Sequence, residues 1–294
     1  MKPISMLPNL LTLANAACGL LAISKGIDAL AYSANQPELF YRKLETSCGL
    51  ILLAMVFDAL DGKVARLTRS FSDFGAQLDS FADAVTFGAA PALLAKILIE
   101  HEGPLVGYSG SPRLHFAAAA TFTLMAILRL ARFNLETEHE AEAHEEFSGL
   151  PSPAAAGAIV STLWVYLLLR SPELESSDGT PTPLGWVMDW MREVDWTPYL
   201  SWVPPLLVLL LPFYGLLMVS RVPYAHAGAF LTRERGTFYT LVGVVFAGFL
   251  LYMAPVPMMF LAANAFVLGG VARYLLNRMR SKPDAELAER RKAG

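Results

Sequence analysis

Apolar residues run along this chain in long blocks, not in the strict alternation of strands. Most blocks are near the ~20 residues that carry a helix across a bilayer. Read this way, the sequence predicts eight helices, at about 8–30, 43–68, 71–99, 115–134, 153–170, 201–220, 237–253 and 256–278. Pro8, Pro153 and Pro257 sit near predicted starts, where a missing N–H does least harm. Pro91 falls inside the third helix and should kink it. Only "APVP" separates the last two helices, so that turn should be tight.

Composition agrees. Of the 294 residues, 54% are hydrophobic, and the mean hydropathy is +0.43. No polar stretch is long enough to bury a core of its own. The expected fold is therefore all-α, a polytopic membrane helical bundle of about eight transmembrane helices. It forms a single integral membrane domain over 1–294, with membrane lipids as its surroundings. A net charge of −3 gives no reason to expect nucleic acid. Cys18 and Cys48 lie in apolar runs and read as small buried hydrophobes. Lys2 and the run from Leu10 read as a first span, not a cleaved signal.

Basic residues set the expected topology. Eight spans put both termini on one side, with Lys2, Lys63, Arg66, Arg69, Arg221, Arg233, Arg235 and the basic tail from Arg278 to Lys292. The other side receives mainly Arg42, Lys43, Arg113, Arg170 and Arg192. The positive-inside rule then makes both termini cytoplasmic. The segment 171–198 becomes an extracytoplasmic connector, in which Trp186 and Trp190 suit an interfacial helix. Residues 281–294 form a cytoplasmic tail. The acidic stretch 136–146 contains His139 and His144, but its run of like charge reads as a solvated connector.

One charged stretch does not fit a simple bundle. "DALDGKVARLTRSFSDFGAQLDSFAD", residues 58–83, lies between two oily segments and carries five aspartates. On a helix Asp58, Asp61, Gly62, Ala65 and Arg69 share a face, as do Gly75, Asp79 and Asp83. A short turn at 69–72 forces the two helices antiparallel, so four carboxylates converge. A buried ion-pair network with Lys63, Arg66 and Arg69 is one reading. It is an expensive one, at about 2.5–3.5 kcal/mol for each carboxylate at mid-helix. A proton or cation pathway is another, but it leaves the small residues on the same faces without a purpose. Oxygen ligands without His or Cys suit a hard cation, Mg²⁺ or Mn²⁺. Gly62, Ala65 and Gly75 leave room for a phosphate ligand against the backbone.

The spacing Asp58-x2-Asp61-Gly62-x2-Ala65-Arg66-x8-Gly75-x3-Asp79-x3-Asp83 resembles, without departure, the signature of the CDP-alcohol phosphatidyltransferases. These membrane enzymes join an alcohol to the phosphatidyl group of a CDP-activated lipid and release CMP; members are commonly homodimers. The resemblance implies a metal site at Asp58, Asp61 and Asp79. It makes Asp83 the catalytic general base and a further possible ligand. It implies CDP-lipid binding at Asn9, Asp58, Gly62, Ala65, Arg66 and Gly75.

The signature does not name the acceptor. "PNLLTLANAACGLLAI" at 8–23, "ILRLARFN" at 127–134, "GLPSPAAAG" at 149–157 and "SRVPY" at 220–224 resemble, in order, the bacterial-type phosphatidylserine synthases of that family. That likeness implies CDP-diacylglycerol and serine as substrates, in a cytoplasmic membrane. Arg129 and Arg132, i and i+3 on the fourth helix, could fork a serine carboxylate, with Arg221 next in line. Choline, inositol or glycerol phosphate as acceptor, and a cation transporter built on the same acids, are the alternatives.

Overall fold

In the computed structural model the predicted helices are present wherever the chain is described. Those residues are 6–68, 72–139, 149–170, 194–224 and 254–292, with scattered positions from 246 to 252. In chain order the helices are α1 (Met6–Leu30), α2 (Pro37–Thr68), α3 (Asp73–Asp83), α4 (Ala90–Leu105), α5 (Pro112–His139), α6 (Ser152–Arg170), α7 (Thr197–Leu200), α8 (Val203–Val219) and α9 (Pro255–Lys292). The fold is all-α and the protein is a multi-pass membrane protein. Among the described residues, six helices are long and apolar enough to cross a membrane. α2 is not one of the six; it carries the charged motif. The expected helix at 237–253 lies largely outside the described residues, as do Trp186 and Trp190 and most of the acidic connector, so eight spans are not established.

Pro91 acts one turn earlier than its position suggests. Its ring would meet the carbonyl of residue 87 in a regular α-helix. The chain instead widens into a π-helical segment, Ala84–Ala89, and resumes as α4 with Pro91 in its first turn. This break begins directly after Asp83. It is pinned from both sides: Thr86 Oγ1 donates to the carbonyl of Asn15 in α1 at 3.2 Å, and Thr123 Oγ1 of α5 donates to the carbonyl of Gly88 at 3.3 Å. α1 can approach so closely because Gly19 lies against Thr86; a Cβ there would stand 2.9 Å from the Thr86 Cα.

α2 begins at Pro37, six residues before the predicted edge. Phe40 and Tyr41 in that extra length are buried. Phe40 stacks on His101, and Tyr41 reaches Glu102 of α4, which is fully buried and accepts from Tyr41 at 2.6 Å, Tyr166 at 2.6 Å and Arg170 at 3.2 Å. His101 Nδ1 lies 2.9 Å from the same carboxylate. This network ties α2, α4 and α6 together. It lies about 26 Å along α2 from the acidic motif, at 1.5 Å per residue. Between the two polar ends the core is apolar, filled by Ile51, Phe87, Leu98, Phe122 and Ile159.

Candidate active site

The last three turns of α2 and the helix α3 both pack on α1 and bring their acids together. α3 starts on a proper cap: Ser72 is extended, and its hydroxyl accepts from the Gly75 amide at 3.0 Å. Helical spacing then brings Asp58 and Asp61 of α2 opposite Asp79 of α3. One oxygen from each of these three carboxylates lies within 4.8 Å of the others. Asp61 and Asp83 are buried, at 6% and 7% exposure. Lys63 and Arg66 are exposed, and Arg66 Nε turns back to the carbonyl of Gly62 at 3.0 Å.

α1 supplies the supports. Thr12 Oγ1 is 2.9 Å from Asp61 Oδ2, and Asn15 Nδ2 donates to Asp83 Oδ1 at 3.1 Å. The sequence argument did not single out either residue. A signal was present: Asn9, Thr12 and Asn15 recur every third position on an otherwise apolar helix, which places polar groups along one side.

Two cavities meet at the acids. The first, about 350 Å³, lies between α1, α2 and α3; Asn9, Thr12, Asp61, Gly62, Ala65 and Gly75 are among its walls. A Cβ on Gly75 would sit 3.1 Å from both Asn9 Oδ1 and Ser72 Oγ, so that wall is already tight. The second, about 490 Å³, lies between α3, α5 and the start of α6; Asp79, Asp83, Ser80, Arg129, Asn134 and Ser152 line it. Asp79 borders both.

Of the three arginines expected near an acceptor, only Arg129 lines the second cavity. Its Nη1 donates to Ser152 Oγ at 3.2 Å. Ser152 is held by the chain before it: Gly149 has a φ of +99°, and its amide donates to the Val222 carbonyl at 2.9 Å. Leu150 N donates to the Leu217 carbonyl at 3.0 Å. Arg132 and Arg221 are exposed and line neither cavity, and Arg66 lines neither. Arg69 lies outside the described residues.

The acidic cluster fits a divalent cation. Its donors are all carboxylate oxygens, and Asp79 Oδ1 is buried with no hydrogen-bond partner. Leaving such an oxygen unsatisfied is costly unless a cation meets it.

A helical membrane bundle with converging carboxylates between two cavities defines a site for a polar reaction. The chain belongs to the CDP-alcohol phosphatidyltransferase family, whose model matches residues 5–194. It is 35% identical over 159 residues to the CDP-diacylglycerol–serine O-phosphatidyltransferase of Helicobacter pylori, covering 54% of this chain and 57% of that protein. The enzyme of the same name from Bacillus subtilis is 32% identical over 160 residues, or 54% and 76% of the two chains. The archaetidylserine synthase of Methanothermobacter thermautotrophicus is 37% identical over 160 residues, or 53% and 56%. The match thus spans little more than half the length of the Helicobacter and Methanothermobacter relatives.

Proposed function

We propose that this protein transfers the phosphatidyl group of CDP-diacylglycerol to the hydroxyl of L-serine, giving phosphatidylserine and CMP. The observation that carries the reading is the placement of Asp79 between two cavities, with Asp83 and Arg129 lining the second. The names of the relatives point the same way. The first cavity would take the cytidine diphosphate against Gly62, Ala65 and Gly75. The second would take the acceptor.

Asp58, Asp61 and Asp79 would hold Mg²⁺ or Mn²⁺, which when bound supplies positive charge to polarise the phosphate. Asp83 takes the proton. Asn15 occupies one of its oxygens, which leaves the other for the serine hydroxyl. As that proton moves to Asp83, the serine oxygen forms a bond to the lipid-linked phosphorus and the anhydride bond to CMP breaks, in one sequential displacement. Arg129, held by Ser152, pairs with the serine carboxylate. In this reading the chain is a single catalytic domain, a homodimer in the inner membrane of a bacterium. Its termini and site are cytoplasmic, consistent with the distribution of basic residues.

The test is direct. Purified protein in mixed micelles, given CDP-diacylglycerol and a divalent metal, should release CMP on addition of serine, and not with choline, inositol or glycerol phosphate. Release with another alcohol and none with serine would reassign the acceptor. Ion flux without any CMP release would favour a transporter.

A further inference from the structure

A second polar pair closes the acceptor cavity, and the transfer chemistry makes no use of it. Ser80 follows Asp79 on α3; Asn134 is on α5. Asn134 Nδ2 donates to Ser80 Oγ at 2.9 Å. The same hydroxyl lies 3.1 Å from the Ala76 carbonyl and 3.2 Å from Asn134 Oδ1. A hydroxyl has one hydrogen. It cannot serve both acceptors, so the pair is one donor short. Given to Ala76, it leaves Asn134 Oδ1 to accept from whatever enters the cavity.

The surroundings say what kind of donor fits. Asp79 and Asp83 stand on the α3 wall and Arg129 on the α5 wall, so the cavity is negative on one side and positive on the other. A zwitterion fits such a space with its carboxylate on Arg129 and its ammonium toward α3. Asn134 and Ser80 also border an adjoining groove whose walls include Phe81, Ala84, Ile127 and Leu135. Apart from Gln77 its other walls are apolar and it holds no carboxylate, so an ammonium belongs on the cavity side. A neutral amide oxygen can accept from it without adding a further negative charge beside carboxylates that already repel.

We propose that Asn134 recognises the ammonium group of the acceptor through Oδ1, and so selects amino alcohols over plain ones. This rests on the serine reading above and adds the residue that reads the amino group.

Two ligands separate the contacts. 3-Hydroxypropionate is serine without its amino group, and ethanolamine is serine without its carboxylate. Asn134→Leu should raise the serine KM and the ethanolamine inhibition constant about tenfold or more, the size expected for a lost hydrogen bond to a charge. The inhibition constant of 3-hydroxypropionate should stay within about twofold. These constants do not depend on how much of a variant is folded, and CDP-diacylglycerol affinity, measured alongside, should not change. An unchanged serine KM in Asn134→Leu overturns the inference. So does an equal rise for serine and 3-hydroxypropionate. Each of these leaves the serine reading standing. A wild-type protein that turns over no serine removes both.

Discussion

Asn15 holds Asp83. The 3.1 Å hydrogen bond joins the middle of α1 to the last residue of α3, and the Asn15 carbonyl in turn receives Thr86 from the π-helical segment. Asp83 is thus fixed from α1 and from the break that follows it. If Asp83 is the base, Asp83→Asn should keep CDP-diacylglycerol binding and lose about 10²–10⁴ in turnover. Asn15→Leu removes only the orienting contact, so turnover should fall less, by about tenfold. Steady-state kinetics with separately measured lipid binding distinguishes the two. Loss of lipid binding in Asp83→Asn would move Asp83 from base to metal ligand.

The metal prediction follows from the donor set. Chelation with EDTA should abolish CMP release, and Mg²⁺ or Mn²⁺ should restore it. Asp61→Asn keeps a contact for Thr12 but removes a charge from the cluster. It should raise the metal concentration needed for half-maximal activity and weaken nucleotide binding. Direct Mn²⁺ titration of the purified protein reads this without turnover. Full activity in metal-free buffer would end the proposal.

Close approach to the backbone is the basis of the third expectation. Gly62 and Ala65 form a wall of the first cavity, and a Cβ on Gly62 would meet nothing within 4 Å. Space there is real, and a large side chain would fill it. Ala65→Leu should insert and fold normally yet lose CDP-diacylglycerol binding by at least about tenfold. Normal binding in that variant would place the nucleotide elsewhere.

The polar end opposite the motif makes a different prediction. Glu102 is completely buried, with Tyr41, Tyr166 and Arg170 all donating to it. Glu102→Ala leaves those donors without their acceptor, a change worth about 3–5 kcal/mol when a buried pair is broken. Thermal unfolding in detergent should shift down clearly, while CDP-diacylglycerol affinity of the folded fraction stays the same. A Tm equal to that of the parent would mean the network contributes nothing to stability.

What the sequence made legible was periodic. Helical spacing alone put Asp58 with Asp61 and Asp79 with Asp83, and long apolar blocks marked the helices. The misplaced start of α2 shows the limit. Arg42 and Lys43 read as the edge of a connector, but Tyr41 and its neighbours find partners on α4 and α6 that no local pattern displays. Pro37 with Glu38 behind it was a start signal that the charge obscured. The supports Asn15 and Ser152 were invisible for the same reason: each acts through a contact 68 or 23 positions away. Arg129 and Arg132 shared a helix and a charge, with Arg221 behind them, and the cavity lining is what singles out Arg129.

That separation gives the last prediction. Arg129 lines the second cavity with Asp83, and Ser152 fixes one of its nitrogens. If the guanidinium forks the serine carboxylate, Arg129→Lys keeps the charge and loses the paired geometry. The serine KM should rise by about tenfold, as when a ground-state contact is removed, with CDP-diacylglycerol affinity unchanged. The inhibition constant of 3-hydroxypropionate should rise with it, and that of ethanolamine should not. Ser152→Ala should move the same constants in the same direction by a smaller factor, because it frees the guanidinium without changing its charge. Arg132→Lys and Arg221→Lys, on exposed residues outside the cavity, should leave all of them alone. A serine KM that responds to Arg132→Lys or Arg221→Lys and not to Arg129→Lys would put the carboxylate outside this cavity. The orientation argued for the acceptor would then have to be reversed or abandoned.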